Sequence, residues 1–122
     1  MRQFAIVGAA LAFLAVAFGA FGAHALRDSI PADRLAIFQT GVQYQAMHAL
    51  TLLALGLARR DRKWLFAACW LFVAGVLFFS GSLYALAITG TRWLGAITPI
   101  GGVCFLSGWL LVFIDLASDR SE

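Results

Sequence analysis

Four long apolar runs occupy most of this 122-residue chain, and they limit its fold more than any other feature. They cover roughly residues 4–26, 41–58, 64–88 and 93–117. A helix that crosses a bilayer needs about 20 mostly apolar residues. None of the runs shows the strict alternation that is typical of a membrane β-barrel strand. The runs therefore predict an all-α membrane protein whose four transmembrane helices form one bundle.

The composition supports a surface that is solvated by lipid. Hydrophobic residues make up 62% of the chain, charged residues make up 12%, and the mean hydropathy is +0.89. Soluble domains contain about 25% charged residues, so this chain has too few charges to cover a globule in water. Because only short connections separate the runs, we expect one integral membrane domain over residues 1–122. Its first partner is the lipid bilayer.

The first run ends in AFGAFGAHALRD, residues 17–28, which has two interpretations. The tripeptide AHA at 23–25 fits the small-residue pattern of a signal-peptidase site, and Arg2 supplies the basic start. A signal peptide, however, has an apolar core of about 7–15 residues. The apolar stretch 4–22 is long enough to cross a membrane. We therefore expect a retained first helix, and cleavage of this segment is the alternative.

Basic residues are distributed unevenly between the two ends of the predicted bundle. With four crossings, the N-terminus, the second connection and the C-terminus lie on one side. Lys and Arg are concentrated on the cytoplasmic side of membrane proteins, so we expect both termini to be cytoplasmic. A short basic cluster between two helices also leaves no surface that could hold a nucleic acid. The first side carries Arg2, Arg59, Arg60, Arg62, Lys63 and Arg120, and the other side carries Arg27, Arg34 and Arg92.

The first connection, residues 27–40, predicts a short helix on the outer surface. Pro31 suits the first position of a helix, because its missing N–H would have no partner there. A straight helix from that proline to residue 60 would be about 45 Å long at 1.5 Å per residue, which exceeds the hydrocarbon core. We therefore expect an amphipathic helix that bends near Gly41 into the second transmembrane helix.

Small residues recur on one face of the first and fourth runs. Small side chains let two helix backbones approach closely, which stabilises helix pairs in lipid. We expect these residues to form packing faces, and we expect Pro99 to kink the fourth helix in its outer half. The packing residues are Gly8, Ala12, Ala15, Gly19 and Gly22 in the first run, with Gly101 and Gly108 in the fourth.

Polar side chains from all four runs are predicted to lie in the outer half of the bilayer. Such groups either pair with one another across helices or mark a site or pathway. We expect a hydrogen-bonded cluster that includes His24 and ties the helices together, and ligand or proton binding by its histidines is the alternative. The candidates are His24, Gln43, Tyr44, His48, Ser80, Ser82, Tyr84 and Thr98.

The inner half of the predicted bundle is almost purely apolar apart from Asp115. A carboxylate is costly at the centre of a membrane helix and less so near the interface. We therefore expect Asp115 to reach the interface, where water solvates it, or to pair with the basic second connection. The basic candidates are Arg59, Arg60, Arg62 and Lys63.

No motif in the chain predicts a reaction. The sequence has no G-x-S-x-G, H-E-x-x-H, P-loop or dinucleotide fingerprint. Its two histidines, without a cysteine at the same depth, are fewer than the three or four ligands of a zinc site. We therefore expect no enzyme activity, no cofactor and no metal.

A set of ordered motifs is similar to a known family. The motifs are GAFGAHAL in the first run, FQTGVQYQAMHAL in the second, FSGSLYAL in the third, and LGAITPIGG with GW in the fourth. Together they resemble the small membrane proteins called domain of unknown function 423, which include transmembrane protein 256. The resemblance covers nearly the whole chain and implies a small multi-span protein of the bacterial inner membrane, with no established activity. The positions it marks are His24, Tyr44, His48, Ser80, Ser82, Tyr84, Thr98, Pro99, Gly101 and Gly102.

Three functions remain open at this point. The first is a structural or accessory membrane protein that packs with itself, as a homo-oligomer, or with a larger complex. The second is an oligomeric transporter or channel for a small solute or proton that uses the outer polar groups. The third is a lipid- or quinone-binding or lipid-modifying protein. The small-residue faces and the short connections favour the first.

Overall fold

The computed structural model describes residues 1–58 and 60–118, and all regular structure in those ranges is helical. A π-helical turn, Gly22–Leu26, extends the first helix, and a second, Val76–Ser80, joins the third helix to the fourth without a break. A 3₁₀ helix, Arg92–Ala96, precedes the last helix. The α-helices are α1 (Arg2–Phe21), α2 (Ala32–Ala58), α3 (Lys63–Gly75), α4 (Gly81–Thr89) and α5 (Thr98–Ser118).

Three helical segments are long and apolar enough to cross a membrane. They are Arg2–Leu26, Lys63–Thr89 and Arg92–Ser118, with mean hydropathies of 2.4, 2.1 and 2.0. α2 has 27 residues, as many as the longest of them, but it is less hydrophobic than the other three segments. The all-helical prediction is therefore confirmed for the described residues, and three of the four expected spans meet the length and hydropathy of a membrane helix.

The expected surface helix is not a separate element. α2 runs from Ala32 to Ala58 with no break at Gly41, so the amphipathic segment and the second apolar run form one helix of about 40 Å. A Cβ at Gly41 would lie 2.8 Å from Cε1 of Tyr84. The glycine therefore makes room for the tyrosine ring of α4.

α1 packs along α2 through its small-residue face. A Cβ at Gly8 would lie 2.6 Å from the carbonyl oxygen of Ala49 and from the amide nitrogen of Leu53. One turn along, near the start of α1, Gly56 lies against the backbone of Ala5. The expected packing residues of α1 lie in the same contact: Gly8, Ala15 and Gly22 are buried, and Ala12 and Gly19 are half-buried.

α5 packs against α3 and the following π-helical turn in a similar way. A Cβ at Gly108 would lie 2.6 Å from Cε1 of Phe72, and Gly101 faces the backbone of Phe79. Pro99 is exposed and is the second residue of α5, after a turn at Ile97. The span Arg92–Ser118 thus changes from a 3₁₀ to an α-helix just before Pro99, whose missing N–H needs no partner at the start of α5.

An aromatic core fills the space between α1, α2, α3 and α5. The rings of Phe4, Phe72 and Phe105 are each at least 96% buried. A smaller core of Leu26, Phe38 and Ala87 lies near the end of α1. The main core comprises Phe4, Leu52, Leu65, Ala68, Cys69, Phe72, Val76, Phe105 and Val112.

Candidate functional site

Gln45 connects three helices at the centre of the polar region. The side chain is buried, with 2% of its surface exposed. Its Nε2 donates a hydrogen bond to the carbonyl oxygen of Leu11 on α1 at 2.8 Å, and its Oε1 accepts one from the hydroxyl of Tyr84 on α4 at 2.6 Å. Both ends of the amide are therefore paired across helices, which satisfies the polar atoms without water.

His48 lies one turn further along α2 and is also buried. Its ring stacks on Phe105 with 3.7 Å between the ring centroids and an interplanar angle of 7°. Nδ1 lies 2.7 Å from the carbonyl oxygen of Tyr44, and Nε2 lies 3.0 Å from Nε1 of Trp109. An indole N–H can only donate and a carbonyl can only accept. These partners assign the proton of a neutral imidazole to Nδ1 and the acceptor role to Nε2.

Two serines near the π-helical turn between α3 and α4 connect these helices to their neighbours. Ser80, the last residue of that turn, donates to the carbonyl oxygen of Gly41 on α2 at 2.7 Å. Ser82 lies 2.6 Å from the hydroxyl of Thr98 on α5 and donates to the carbonyl oxygen of Phe79 at 3.0 Å. π-Helical turns often occur at functional sites, but these serines form hydrogen bonds that join helices.

The expected cluster around His24 is wrong. His24 is exposed and forms no hydrogen bond with a described residue. In its π-helical turn, Gly22 and Leu26 are the buried positions. A residue midway between two buried positions points to the opposite side of a helix, so His24 faces away from α2.

The other candidates also separate into distinct groups. Gln43 is exposed. Tyr44 is 38% exposed and packs its ring against Phe79 and Phe105, with centroids 4.6 and 6.2 Å away. The Gln45–Tyr84 and Ser80–Gly41 hydrogen bonds are adjacent, because the hydroxyls of Tyr84 and Ser80 also interact, whereas the bonds of His48 with Trp109 and of Ser82 with Thr98 involve other side chains. They replace the single expected cluster.

Asp115 lies at the opposite end of the bundle and pairs with the second connection. Its side chain is fully buried, and Oδ1 accepts a hydrogen bond from Nε of Arg62 at 2.7 Å. The expected pairing with this basic connection is therefore present, and Arg62 is the partner. Lys63 lies with Nζ 5.0 Å from the ring centroid of Trp64. Arg59 and Arg120 lie outside the described residues.

The family follows from comparison with known proteins. A family model described as "Protein of unknown function (DUF423)" matches residues 18–102. The chain belongs to the DUF423 family. This confirms the resemblance carried by the sequence motifs, and the matched region includes Gln45, His48, Ser80, Ser82 and Tyr84.

Relatives of this DUF423 protein are described as membrane proteins. UPF0382 membrane protein SSP2132 of Staphylococcus saprophyticus is 46% identical over 121 residues, covering 93% of this chain and 96% of the relative. UPF0382 inner membrane protein YgdD of Escherichia coli K12 is 42% identical, covering 92% and 88%. UPF0382 membrane protein YwdK of Bacillus subtilis is 44% identical, covering 93% and 95%. No solved structure matches the chain significantly.

Sequence reasoning missed two residues that the DUF423 structure places at the centre of the polar contacts. Gln45 lies on a buried face of α2 together with Gly41, His48 and Leu52, at intervals of four, three and four residues. That helical spacing was the available signal. For Trp109 the signal was its indole N–H, which needs an acceptor when the ring is surrounded by apolar groups.

The arrangement offers little reactive chemistry in this DUF423 chain. Ser80 and His48 bond to different partners, so they do not form a nucleophile and its base. Among residues 1–58 and 60–118, no three His, Cys, Asp or Glu side chains are grouped closely enough to hold a metal ion. The polar groups between the helices form hydrogen bonds that join one helix to another.

Proposed function

We propose that this protein is a four-span component of the bacterial inner membrane with both termini in the cytoplasm. α2 is as long as the candidate spans and packs lengthwise along α1. A helix of that length, packed lengthwise against a helix that is long and apolar enough to cross the bilayer, would cross it as well. Gln45 and His48 of α2 face the inside of the bundle, where hydrogen bonds reduce the cost of placing them in lipid.

Within the membrane, we propose that the protein has a structural or accessory role and packs with itself or with a larger membrane complex. The observation that carries this proposal is the internal pairing of the buried polar side chains. Gln45, His48, Ser80, Ser82 and Asp115 all form hydrogen bonds within the bundle, and among the described residues only Oδ2 of Asp115 in this set is buried without a partner. Groups held in this way specify one arrangement of helices, and they are poorly suited to bind and release a substrate.

The outward faces of the helices support association with other membrane proteins. Phe13 on α1 and Leu106 on α5 are both 73% exposed. Extended apolar surfaces of this kind face lipid acyl chains or the apolar surface of another membrane protein. Assembly therefore needs no loop or polar patch, which suits a chain whose connections are short.

Disulfide cross-linking in isolated membranes tests this role. Single cysteines at positions 13 and 106, in a variant that lacks Cys69 and Cys104, place a thiol on outward-facing positions of α1 and α5 with equal exposure. We expect oxidation to produce dimers, or adducts with a larger membrane protein, from at least one position. Leu52→Cys is the matched control, because that side chain is fully buried and cannot reach another molecule.

A scan of outward positions around the bundle that produced monomer alone would contradict the accessory role. Solute or proton flux through vesicles containing the purified protein would favour the alternative, an oligomeric transporter. If Gln45→Leu abolished this flux and the variant kept its fold, the polar groups would form part of a transport path. The structural proposal would then be wrong.

A further inference from the structure

A charged cavity of about 390 Å³ lies at the end of the bundle that contains the first and third connections. It is formed by the first turns of α2, the end of α4 and the start of the 3₁₀ helix. None of the helix-joining hydrogen bonds described above involves a residue of its lining. The lining residues are Asp33, Arg34, Ile37, Leu86, Gly90 and Arg92.

Arg34 is positioned by the turn that ends α4. Gly90 ends that helix in a left-handed conformation with φ 71°, and its N–H donates to the carbonyl oxygen of Leu86 at 2.8 Å. The guanidinium of Arg34 lies so close to Gly90 that a Cβ there would collide with Nη1. The open face of the glycine therefore provides the space that the guanidinium occupies.

The guanidinium of Arg34 nevertheless has no hydrogen-bond acceptor among the described residues. Its Nε is buried and unpaired, although a guanidinium carries five N–H donors. The carbonyl end of α4 attracts a positive charge electrostatically, but none of its oxygens accepts a hydrogen bond from Arg34. A buried donor without an acceptor is costly, and the side chain of Arg34 also lines the cavity, so its guanidinium is suited to an acceptor that enters there.

Arg92 and Asp33 add two further charges to the same cavity. Both side chains are exposed, and within the described part of the chain neither forms an ion pair with the other or with Arg34. The cavity therefore presents two separate cations and one separate anion. Ile37 and Leu86 supply an apolar wall beside them.

We propose that this cavity binds the headgroup of an aminophospholipid, with the phosphate on Arg34 and Arg92 and the ammonium on Asp33. Guanidinium groups bind phosphate oxygens through paired, charge-assisted hydrogen bonds. A carboxylate in the same cavity would repel a simple anion, but it complements a headgroup that carries both charges.

The position of the cavity favours a lipid over a soluble phosphate. One membrane-length segment ends at Thr89 and the next begins at Arg92, so the cavity lies where helices of the bundle reach the membrane surface. The wall of Ile37 and Leu86 suits the glycerol and the first acyl carbons of a lipid. The site is independent of the proposed structural function, because it uses none of the outward faces on which assembly would depend.

Native mass spectrometry of the full chain with added lipids tests this site. The probes are phosphatidylethanolamine, phosphatidylglycerol and phosphatidylcholine, with inorganic phosphate and phosphoethanolamine as soluble competitors. We expect phosphatidylethanolamine to bind most tightly, because phosphatidylglycerol lacks the ammonium and the quaternary amine of phosphatidylcholine donates no hydrogen bond. We expect neither soluble compound to displace it, because both lack the apolar part.

Four variants assign the charges. Arg34→Gln and Arg92→Gln should each weaken phosphatidylethanolamine binding by about tenfold or more, because each removes a charge-assisted contact with the phosphate. Asp33→Asn should reduce the preference for phosphatidylethanolamine over phosphatidylglycerol. Arg27→Gln is the matched control, since that exposed arginine belongs to the same connection and lies outside the cavity. Circular dichroism checks that each variant is folded.

Two results would overturn the proposal. If Arg92→Gln, an exposed substitution that the fold tolerates, bound the lipids as tightly as Arg27→Gln, the cavity would not hold the phosphate. If inorganic phosphate displaced the lipid, the site would be one for a soluble anion. Neither result bears on cross-linking between outward faces, so failure here is distinguishable from failure of the structural role.

Discussion

Trp109 on α5 donates a hydrogen bond to His48 on α2 across 3.0 Å, and this contact defines the role of the histidine. Since indole has no acceptor atom, Nε2 of His48 must carry the lone pair. The second ring nitrogen then donates to the carbonyl oxygen of Tyr44. Both nitrogens are occupied within the bundle, and the ring is covered by Phe105. These contacts explain why His48 packs as a structural residue although its residue type suggests proton transfer.

We expect Trp109→Phe to destabilise the protein by about 1 kcal/mol, since one interhelical hydrogen bond is lost and Nε2 of His48 keeps no donor. Thermal unfolding in detergent micelles measures this change. Trp93→Phe is the matched control: Trp93 is 66% exposed and forms no hydrogen bond with a described residue. Equal stability of the two variants would show that the Trp109–His48 bond does not contribute.

We expect Tyr84→Phe to lower the free energy of unfolding by about 1 kcal/mol, because Oε1 of Gln45 loses its donor in a buried site. The matched control is Tyr44→Phe. The ring of Tyr44 packs on Phe79, but its hydroxyl bonds to no described residue. Chemical or thermal unfolding of both variants measures the difference, and a larger loss for Tyr44→Phe would contradict the assigned contacts.

The sequence predicted the helices well because hydropathy and helical period depend on local composition. It predicted the small-residue contact of α1 for the same reason, since Gly8 and Ala15 share one helical face. It failed for His24 because the prediction used the depth of the residue and not the side of the helix: Gly22 belongs to the packing face, and a residue two positions further on lies on the opposite side.

The sequence also did not predict which polar side chains pair with one another. Polar residues at similar depth suggested one cluster, but whether Gln43 or Gln45 faces inward depends on how α2 rotates against its neighbours. That rotation is determined by tertiary contacts such as the fit of Tyr84 against Gly41. The helical spacing of Gly41, Gln45, His48 and Leu52 predicts that these four residues share one face of α2, and that face is the buried one.

The pair formed by Asp115 and Arg62 should respond asymmetrically to substitution. We expect Arg62→Gln to cost about 1–3 kcal/mol, because it leaves a fully buried carboxylate without this hydrogen-bonded cation, although the side chain of Arg62 is itself 38% exposed. Asp115→Asn should cost less, since the amide keeps the shape and one oxygen that can accept from Nε of Arg62. Unfolding measured at low and high salt should show only a partial loss of the difference, because solvent reaches the arginine but not the carboxylate.

Asp61→Asn is the matched control for this pair. Asp61 lies in the same connection but is exposed, so its substitution should change stability by no more than about 0.5 kcal/mol. A loss for Arg62→Gln that disappears at high salt would indicate a solvated surface pair, and the buried position of Asp115 would then be wrong.

The packing of α1 on α2 can be tested by substituting two glycines, one in a close helix contact and one with no neighbouring atoms. A Cβ at Gly8 would lie 2.6 Å from backbone atoms of Ala49 and Leu53, which can yield only if the helices separate. We therefore expect Gly8→Ala to cost about 1–3 kcal/mol through overpacking. Gly81 has nothing within 4 Å of the corresponding position. Because alanine is the better helix former, Gly81→Ala should stabilise the protein by up to about 1 kcal/mol.

Thermal unfolding of the two variants in the same detergent measures these opposite shifts. The substitutions are chemically identical and both positions are helical, so a difference in sign isolates the helix contact from helix propensity. If Gly8→Ala were as stable as Gly81→Ala, α1 and α2 would have to lie further apart than this structure places them. The carbonyl of Leu11 would then also be too distant to accept from Gln45, and the connection of α1 to the polar residues of the bundle would be lost.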